Sequence, residues 1–123
     1  MALRETSVLV TGASGFLGGA LALHLAAMGV RVRALVRRPE KAAFLPGSVE
    51  IVTGDLLDPA ALRAAAQGCD IIFHCAAALG GDLTMQRRIN VDGTLLLAEN
   101  AAQVGVRRLI HVSTLSVYGV MYE

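Results

Sequence analysis

The sequence predicts an α/β fold: a doubly wound parallel sheet of about five strands in the order 3-2-1-4-5, formed by one domain over residues 1–123. Short apolar runs that suit buried parallel strands alternate with segments of helical periodicity. A glycine-rich loop joins the first run directly to the first helix, and the other links are short. Right-handed crossovers through such links produce a sheet with helices on both faces.

Length and composition are those of one globular domain. The chain has 123 residues, of which 54% are hydrophobic and 17% are charged, so disorder is excluded and a substantial core is expected. A net charge of +1 gives no electrostatic reason to expect nucleic acid or an anionic membrane as a partner. The most apolar stretch, 15–30, is interrupted by glycine and His24 and is shorter than the roughly 20 residues of a membrane span, so it predicts a core helix.

The start of the chain and its cysteines predict a cytoplasmic protein. The first strand begins within a few residues of Met1, which leaves no room for a secretory signal. Cys69 and Cys75 have neither the close spacing of a redox pair nor the partners of a zinc site. Both are therefore interpreted as buried small apolar residues in a reducing compartment, and no metal site is predicted.

The elements follow from periodicity and from the residues that end each run. The predicted strands are 7–11, 31–36, 49–53, 70–74 and 108–112. The predicted helices are 16–28, 60–67 and a longer one of about 84–104. Gly29 and Gly105 are placed to end the first and third helices. Asp58 is predicted to cap the second helix, with Pro59 at its first position.

The loop after the first strand has the glycine pattern of a phosphate-binding turn. Gly12, Gly15 and Gly18 permit a tight turn, close approach of the backbone to a phosphate, and close packing of helix on strand. Free amides at the start of the helix then face the anion. The other contacts predicted in this loop are Ser14, Phe16 and Leu17. A packing turn without a ligand is the alternative, and the absence of a Gly-Lys-Ser/Thr sequence sets nucleotide hydrolysis aside.

The spacing of these glycines, with Thr11 before them, resembles the short-chain dehydrogenase/reductase superfamily, in particular its extended branch of sugar epimerases, dehydratases and flavonoid-type reductases. The resemblance implies a Rossmann-type domain that binds a nicotinamide dinucleotide. In the whole enzyme it implies an oxidoreductase or epimerase that moves hydride to or from a sugar-like or other small hydroxyl or carbonyl substrate.

The end of the second strand indicates which dinucleotide binds. An acidic residue there would bind the adenine ribose of NAD, but Val36 occupies the position, and Arg37 and Arg38 follow. A guanidinium matches phosphate geometry and stays charged, so the sequence favours the 2′-phosphate of NADP, bound by Arg37 with Lys41 or Arg38 as helpers. NAD is the alternative cofactor, with these cations as solvated loop charges.

Two later segments agree with the resemblance at the ends of strands three and four. Asp55, followed by Leu56, stands where the family places an acidic residue against the adenine edge, and a turn-forming Asp55 is the alternative. The small residues Ala76, Ala77 and Ala78 stand where the cofactor ribose and phosphates pass over the strand end in similar enzymes.

Asn90 and His74 are two further polar candidates. Asn90 begins an Asn-Val-Asp-Gly-Thr segment that closely matches a motif on the fourth long helix of the family, and it is counted among the cofactor-site residues. Helical spacing directs Asn90 toward the sheet, where a buried amide would fix the active-site backbone and a water. A surface Asn90 is the alternative. His74 is interpreted as a packed strand-end histidine rather than as a base.

The segment 112–119 resembles the one that follows strand five in epimerases and dehydratases. The resemblance implies that Thr114, four residues before Tyr118, hydrogen-bonds the substrate oxygen and is the catalytic residue of this stretch. Ser113 is a predicted cofactor contact and, like Ser116, an alternative to Thr114. A set of hydroxyls that only form a turn is the other interpretation.

The acid/base pair of the family does not occur in the 123 residues. That pair is a Tyr followed four residues later by a Lys, which brings the phenol pKa toward working pH. Tyr122 follows Tyr118 at that spacing, and the sole lysine is Lys41. The chain is therefore expected to be a fragment that binds cofactor without turnover. Its uncovered apolar edges and faces predict self-association into a homo-oligomer or poor solubility. A non-catalytic NADP-binding or sensing module, and a scaffold that binds no nucleotide, are the alternatives.

Overall fold

The computed structural model describes residues 3–114 of the chain, so the predictions for Ser116, Tyr118 and Tyr122 lie outside the described residues. The described part contains a five-stranded sheet in which all paired strands are parallel. The strand order is 3-2-1-4-5, which confirms the predicted topology. The order reverses between the first and fourth strands, and this reversal opens a crevice at the carboxyl ends of the strands.

The five strands lie within one residue of their predicted bounds. They are β1 (Ser7–Thr11), β2 (Arg31–Val36), β3 (Glu50–Thr53), β4 (Ile71–His74) and β5 (Arg108–His111). The residues lost at two ends still bond to the sheet, because the Asp70 N–H donates to Ser7 O and the Val112 N–H donates to His74 O. These differences reflect where a ladder is counted as ending rather than a different path of the chain.

The helices alternate with the strands. They are α1 (Phe16–Ala27), α2 (Pro59–Ala66), α3 (Leu83–Arg87), a π-helical segment (Arg88–Gly93) and α4 (Thr94–Gln103). Short 3-10 helices occupy Leu3–Glu5 and Pro39–Ala42. Asp58 caps α2 as predicted, because its side chain accepts from the backbone N–H groups of Ala60 and Ala61.

The long helix predicted over about 84–104 is interrupted by the π-helical segment. Two local features accompany this widening. The hydroxyl of Thr94 donates to the carbonyl of Asn90 at 2.8 Å, a side-chain bond that competes with the backbone ladder. Gly93 is buried against Leu56, and a Cβ added to Gly93 would lie 3.1 Å from Leu56 Cβ. Wide turns of this kind are frequent at functional sites.

The core lies on both faces of the sheet, and β1 supplies both halves. Val8 and Val10 pack on one side with Leu25 of α1 and its neighbours. Leu9 packs on the other side with Leu62 of α2 and Leu97 of α4, both completely buried. Burying side chains of this size contributes about 1.5 to 3 kcal/mol each, so a strand buried on both faces anchors the fold.

The edges of the sheet are less covered than its centre. Ile51 on β3 and Ile110 on β5 are each 37% exposed, and Val112 after β5 is 39% exposed. The predicted homo-oligomer stays a prediction. No helix in residues 3–114 is both long enough and apolar enough to cross a membrane.

Candidate functional site

A cavity of about 480 Å³ lies at the carboxyl edge of the sheet, at the reversal of strand order. Its volume is in the range of ligand pockets, and this edge is where doubly wound sheets bind ligands. The lining comes from the ends of four strands and the loops after them: Thr11, Gly12, Ser14, Gly15, Phe16, Leu17, Gly18, Leu35, Val36, Arg37, Gly54, Asp55, Leu56, Cys75, Ala76, Ala77, Ala78 and Leu79, together with Ile89 from the π-helical segment.

The glycine loop is packed so closely that two of its positions exclude any side chain. Gly12 has φ +65, and a Cβ there would lie 2.7 Å from the backbone nitrogen of Ala76. A Cβ on Gly18 would overlap the carbonyl of Gly12. The first glycine therefore allows the loop after β4 to touch the turn after β1, and the last allows α1 to begin against that turn.

The start of α1 is open toward the cavity. Gly15 is the N-cap residue, and no side chain caps the helix. Phe16, Leu17 and Gly18, the first three helical residues, all line the cavity. Because the first N–H groups of a helix have no partner within the helix and carry the positive end of its dipole, this terminus is suited to an anion.

Arg37 brings a cation to the rim of the cavity beyond β2. It lines the cavity together with Val36, which is the last residue of β2, and Arg37 is the residue directly after the strand. Arg38 and Lys41 do not line the cavity, and the Lys41 N–H donates to the carbonyl of Arg38 in the next turn. The binding roles of Arg37 and Lys41 stay predictions, but only Arg37 of the two lies at the cavity.

Asp55 forms the local turn that was its alternative interpretation, and its predicted contact with adenine stays a prediction. It lines the cavity, and its Oδ1 accepts from the Leu57 N–H at 2.9 Å in a local turn. The turn holds the carboxylate at the cavity wall. The neighbouring Leu56 is buried, lines the same wall, and packs against Gly93.

The loop after β4 is fixed from outside by Asn90. The Ala78 N–H donates to Asn90 Oδ1 at 2.8 Å, and Asn90 Nδ2 donates to the Ala78 carbonyl at 3.1 Å. Asn90 itself is exposed, so the expectation of a buried amide is not what the structure has. The side chain leaves the π-helical segment toward the loop instead of packing on the sheet, and it clamps the backbone of the small-residue run 76–78 that lines the cavity.

His74, at the end of β4, is a packed histidine. Its side chain is 1% exposed, with Nδ1 2.7 Å from Thr11 Oγ1 and Nε2 2.8 Å from Thr94 Oγ1. Burial, followed by the nearby His111, lowers the pKa of His74 from 6.5 to about 4. The ring is therefore neutral near pH 7, which agrees with its interpretation as a strand-end residue.

Ser113 and Thr114 follow β5 and are exposed, and neither lines the cavity. The structure thus brings together in one cavity most of the sequence-predicted residues on the loops after β1 to β4, but not Lys41, Asn90 or the residues after β5. The cavity also includes residues that were not predicted as site residues: Thr11, Leu35, Val36, Gly54, Cys75, Leu79 and Ile89. Cys75 is half-buried at the cavity wall rather than buried as expected. Leu35, Gly54 and Leu79 follow from their positions near strand ends, whereas Ile89 enters from a helix and has no local signal.

Fold and cavity together define a doubly wound nucleotide-binding domain whose glycine turn faces the ligand crevice. The sequence profile of the NAD dependent epimerase/dehydratase family matches residues 8–123. The chain belongs to this family, within the short-chain dehydrogenase/reductase superfamily.

Individual relatives agree with this assignment. The chain is 40% identical over 118 residues to sterol demethylase protein B of Methylococcus capsulatus, covering 93% of this chain and 36% of the relative. Its fold matches a short-chain dehydrogenase/reductase superfamily protein from Agrobacterium tumefaciens with bound NAD, at TM-score 0.82 and 33% identity, covering 92% of this chain and 34% of that one. It also matches MoeE5 in complex with UDP-glucose and NAD, at TM-score 0.81 and 38% identity, covering 92% and 38%. The chain thus spans little more than a third of the length of these relatives.

Proposed function

We propose that this chain is the NADP-binding portion of an epimerase-, dehydratase- or reductase-type oxidoreductase. The observation that carries the proposal is the convergence on one cavity of an uncapped helix start, an arginine beyond β2 and a small-residue loop after β4. These are the features that a dinucleotide with a pyrophosphate and a ribose 2′-phosphate requires. NAD in the related structures supports the cofactor class.

The chain's own residues fit such a group. Cβ atoms on Gly12 and Gly18 would collide with the backbone of the loop after β4 and of the turn itself, so only glycine allows the turn that brings the start of α1 to the cavity. The start of α1 would hold the pyrophosphate, Asp55 the adenine side, and Ala76 with its neighbours the central ribose and phosphates. When bound, the nicotinamide would supply a carbon that accepts or donates hydride. These residues of the chain would bind, orient and shield the cofactor.

The preference for NADP rests on the residues after β2. The position that would carry an acidic residue for the ribose of NAD is Val36, and the adjacent Arg37 faces the cavity. The Arg37 guanidinium would pair with the 2′-phosphate through charge-assisted hydrogen bonds. The family description and the related structures name NAD, so Arg37 is the residue on which the finer assignment depends.

The substrate side of the proposal extends to the whole protein. A sugar-like or other small hydroxyl or carbonyl substrate is consistent with the family and with the UDP-glucose complex of MoeE5. Thr114 would hold the substrate oxygen, with Ser113 beside the cofactor. Because no Tyr-x-x-x-Lys pair occurs in these 123 residues, we assign them cofactor binding and expect no turnover from them alone.

Cofactor preference can be tested with two adjacent arginines. Arg37→Ala should weaken NADPH binding about 10- to 100-fold and leave NADH binding nearly unchanged, because a charged hydrogen bond is worth about 1.5 to 3 kcal/mol. The measurement is Kd by calorimetric titration of the 123-residue chain with each cofactor.

Arg38→Ala is the matched control, since Arg38 is adjacent in sequence but does not line the cavity. It should change either Kd by less than about threefold. Equal affinity of the unaltered chain for NADPH and NADH, or equal losses in the two variants, would contradict the assignment to Arg37. If the unaltered chain binds neither cofactor, the proposed function is wrong, and a scaffold that binds no nucleotide becomes the better interpretation.

A further inference from the structure

His74 lies where three parts of the carboxyl edge meet. It is the register partner of Thr11 on β1 and of His111 on β5, so all three side chains stand side by side on one face of the sheet. The ring of His111 lies 5.3 Å from that of His74. Thr94, at the start of α4, covers the same face. No role in the cofactor site follows from burial alone, but the hydrogen bonds around the ring give one.

The bonds to Thr11 determine which ring nitrogen carries the proton. The Cys75 and Ala76 N–H groups both donate to Thr11 Oγ1 at 3.1 Å, and these two bonds occupy the two lone pairs of the hydroxyl. The hydroxyl proton is then directed to His74 Nδ1, 2.7 Å away. Nδ1 is thus an acceptor without a proton.

The other ring nitrogen of His74 continues the series of hydrogen bonds, again with the donor on the side of Thr11 and the acceptor beyond it. A neutral ring without a proton on Nδ1 carries it on Nε2, which donates to Thr94 Oγ1 at 2.8 Å. The Thr94 hydroxyl donates in turn to the Asn90 carbonyl at 2.8 Å. Each member has one arrangement of donors and acceptors, and a proton added at Nδ1 would face an oxygen that has no free lone pair.

Both ends of this series of hydrogen bonds reach the wall of the cavity. Thr11 holds the backbone of Cys75 and Ala76, which a Cβ on Gly12 would strike. Thr94 bonds the carbonyl of Asn90, whose side chain holds both backbone groups of Ala78. The loop after β4 is thereby fixed against the glycine turn at its start and against the π-helical segment at its end.

We propose that His74 is a positioning residue of the cofactor site. As a neutral ring with its proton on Nε2, it accepts from Thr11, donates to Thr94, and so sets the path of the 75–78 backbone against the glycine turn. The inference rests on the proposed binding of NADP in the cavity. The lowered pKa of His74 agrees with a ring that stays neutral.

Two pairs of variants separate hydrogen bonding from packing. In His74→Asn the side-chain oxygen can replace Nδ1 as the acceptor from Thr11, whereas His74→Leu fills space without any acceptor. Thr11→Ser keeps the hydroxyl, whereas Thr11→Val keeps only the shape. His24→Asn, on the exposed surface of α1, is the control for loss of a histidine.

The readouts are the ring nitrogen shifts of His74 in labelled protein, the thermal midpoint, and the Kd for NADPH. We expect an unprotonated Nδ1 and a protonated Nε2 at pH 7. We expect His74→Leu and Thr11→Val to weaken NADPH binding about tenfold or more, in line with the loss of one or two hydrogen bonds to the loop. His74→Asn and Thr11→Ser should recover most of that affinity, and His24→Asn should leave it unchanged.

Four outcomes would overturn the inference. A proton on Nδ1 contradicts the direction of the bonds. Normal NADPH affinity in folded His74→Leu would show that His74 only fills space. Equal NADPH affinity of the His74→Leu and His74→Asn variants would show the same, and in both cases the proposed function would still stand. Failure of the unaltered chain to bind either cofactor defeats the proposed function itself, and with it this inference, even if the nitrogen shifts are as expected.

Discussion

The helices α1 and α2 begin at the same edge of the sheet but differ at their first residues. The start of α2 is closed by its own sequence, because Asp58 accepts from two backbone N–H groups and Pro59 has none to offer. The start of α1 has Gly15 as N-cap and no side-chain acceptor. One helix thus satisfies its terminal amides with a carboxylate, and the other leaves them for a ligand. We therefore expect the start of α2 to contribute to stability and the start of α1 to contribute to binding.

The largest effect is expected where the backbone of α1 is closest to the glycine turn. In Gly18→Ala the new Cβ would overlap the Gly12 carbonyl, and two backbone segments cannot yield as a side chain can. We expect a loss of more than about 3 kcal/mol in the free energy of unfolding. Thermal denaturation followed by circular dichroism measures it.

Gly19→Ala is the matched control for that substitution. Its Cβ would meet the tip of the Phe44 ring at 2.8 Å, which can move because Phe44 is half exposed, and the Ala13 carbonyl oxygen at 3.1 Å, a milder contact than the overlap at Gly18. The better helix propensity of alanine offsets part of the strain, so the change should stay within about 1 kcal/mol. If both variants unfold alike, the tight contact at Gly18 is not what makes the loop depend on glycine.

An intermediate effect is expected if α1 is given the kind of cap that α2 has. Gly15 has φ −86 and ψ 177, which any residue can adopt, although a new Cβ would lie 3.3 Å from the Gly12 carbonyl. Gly15→Asn should cap the helix and weaken NADPH binding about tenfold by occupying its amides. Gly15→Asp should weaken it about 100-fold, because the carboxylate also repels phosphate.

The difference between these two isosteric variants isolates the charge, and Kd by titration measures it. Thermal midpoints should remain close to that of the unaltered chain, which distinguishes lost binding from lost folding. Binding of NADPH by Gly15→Asp as tightly as by the unaltered chain would show that the start of α1 does not hold the phosphates.

The smallest effect is expected at the cap of α2. Asp58→Ala removes the acceptor for Ala60 and Ala61 and should reduce the free energy of unfolding by about 1 kcal/mol. The Kd for NADPH should change by less than about twofold, because Asp58 does not line the cavity. Asp58→Asn should restore the stability. A clear loss of NADPH affinity in a folded Asp58→Ala chain would break the division of roles between the two helices.

Much of the fold was predictable because the centre of β1 and the second half of β2 are buried on both faces and are therefore apolar at consecutive positions. The glycine turn was equally predictable from the sequence, because backbone contacts this close permit only glycine and so place glycines at fixed spacings. The strands differ from prediction only by single terminal residues, Val49, Asp70 and Val112.

The rest depended on strand register, which the sequence does not display. Thr11 and His74 are 63 positions apart and meet only because β1 and β4 align as they do. Asn90 was expected to be buried from ideal helical spacing, and the π-helical segment changes that spacing. Arg33 likewise reaches the carbonyls of Ala65 and Gln67 at the end of α2, a link between distant segments that strand patterning alone does not reveal.

The π-helical segment makes the number of residues between α3 and α4 as important as their identity. Asn90 holds the loop after β4, and Thr94 contacts His74, so both must point toward the same edge from one helix. Removing Val91 or Asp92, which lie between them, would turn Asn90 by about 100° relative to Thr94, the angle per residue of an α-helix. A deletion of this kind would keep Asn90, Thr94 and His74 in the sequence. Asn90 and Thr94 could then no longer contact the loop after β4 and His74 at the same time.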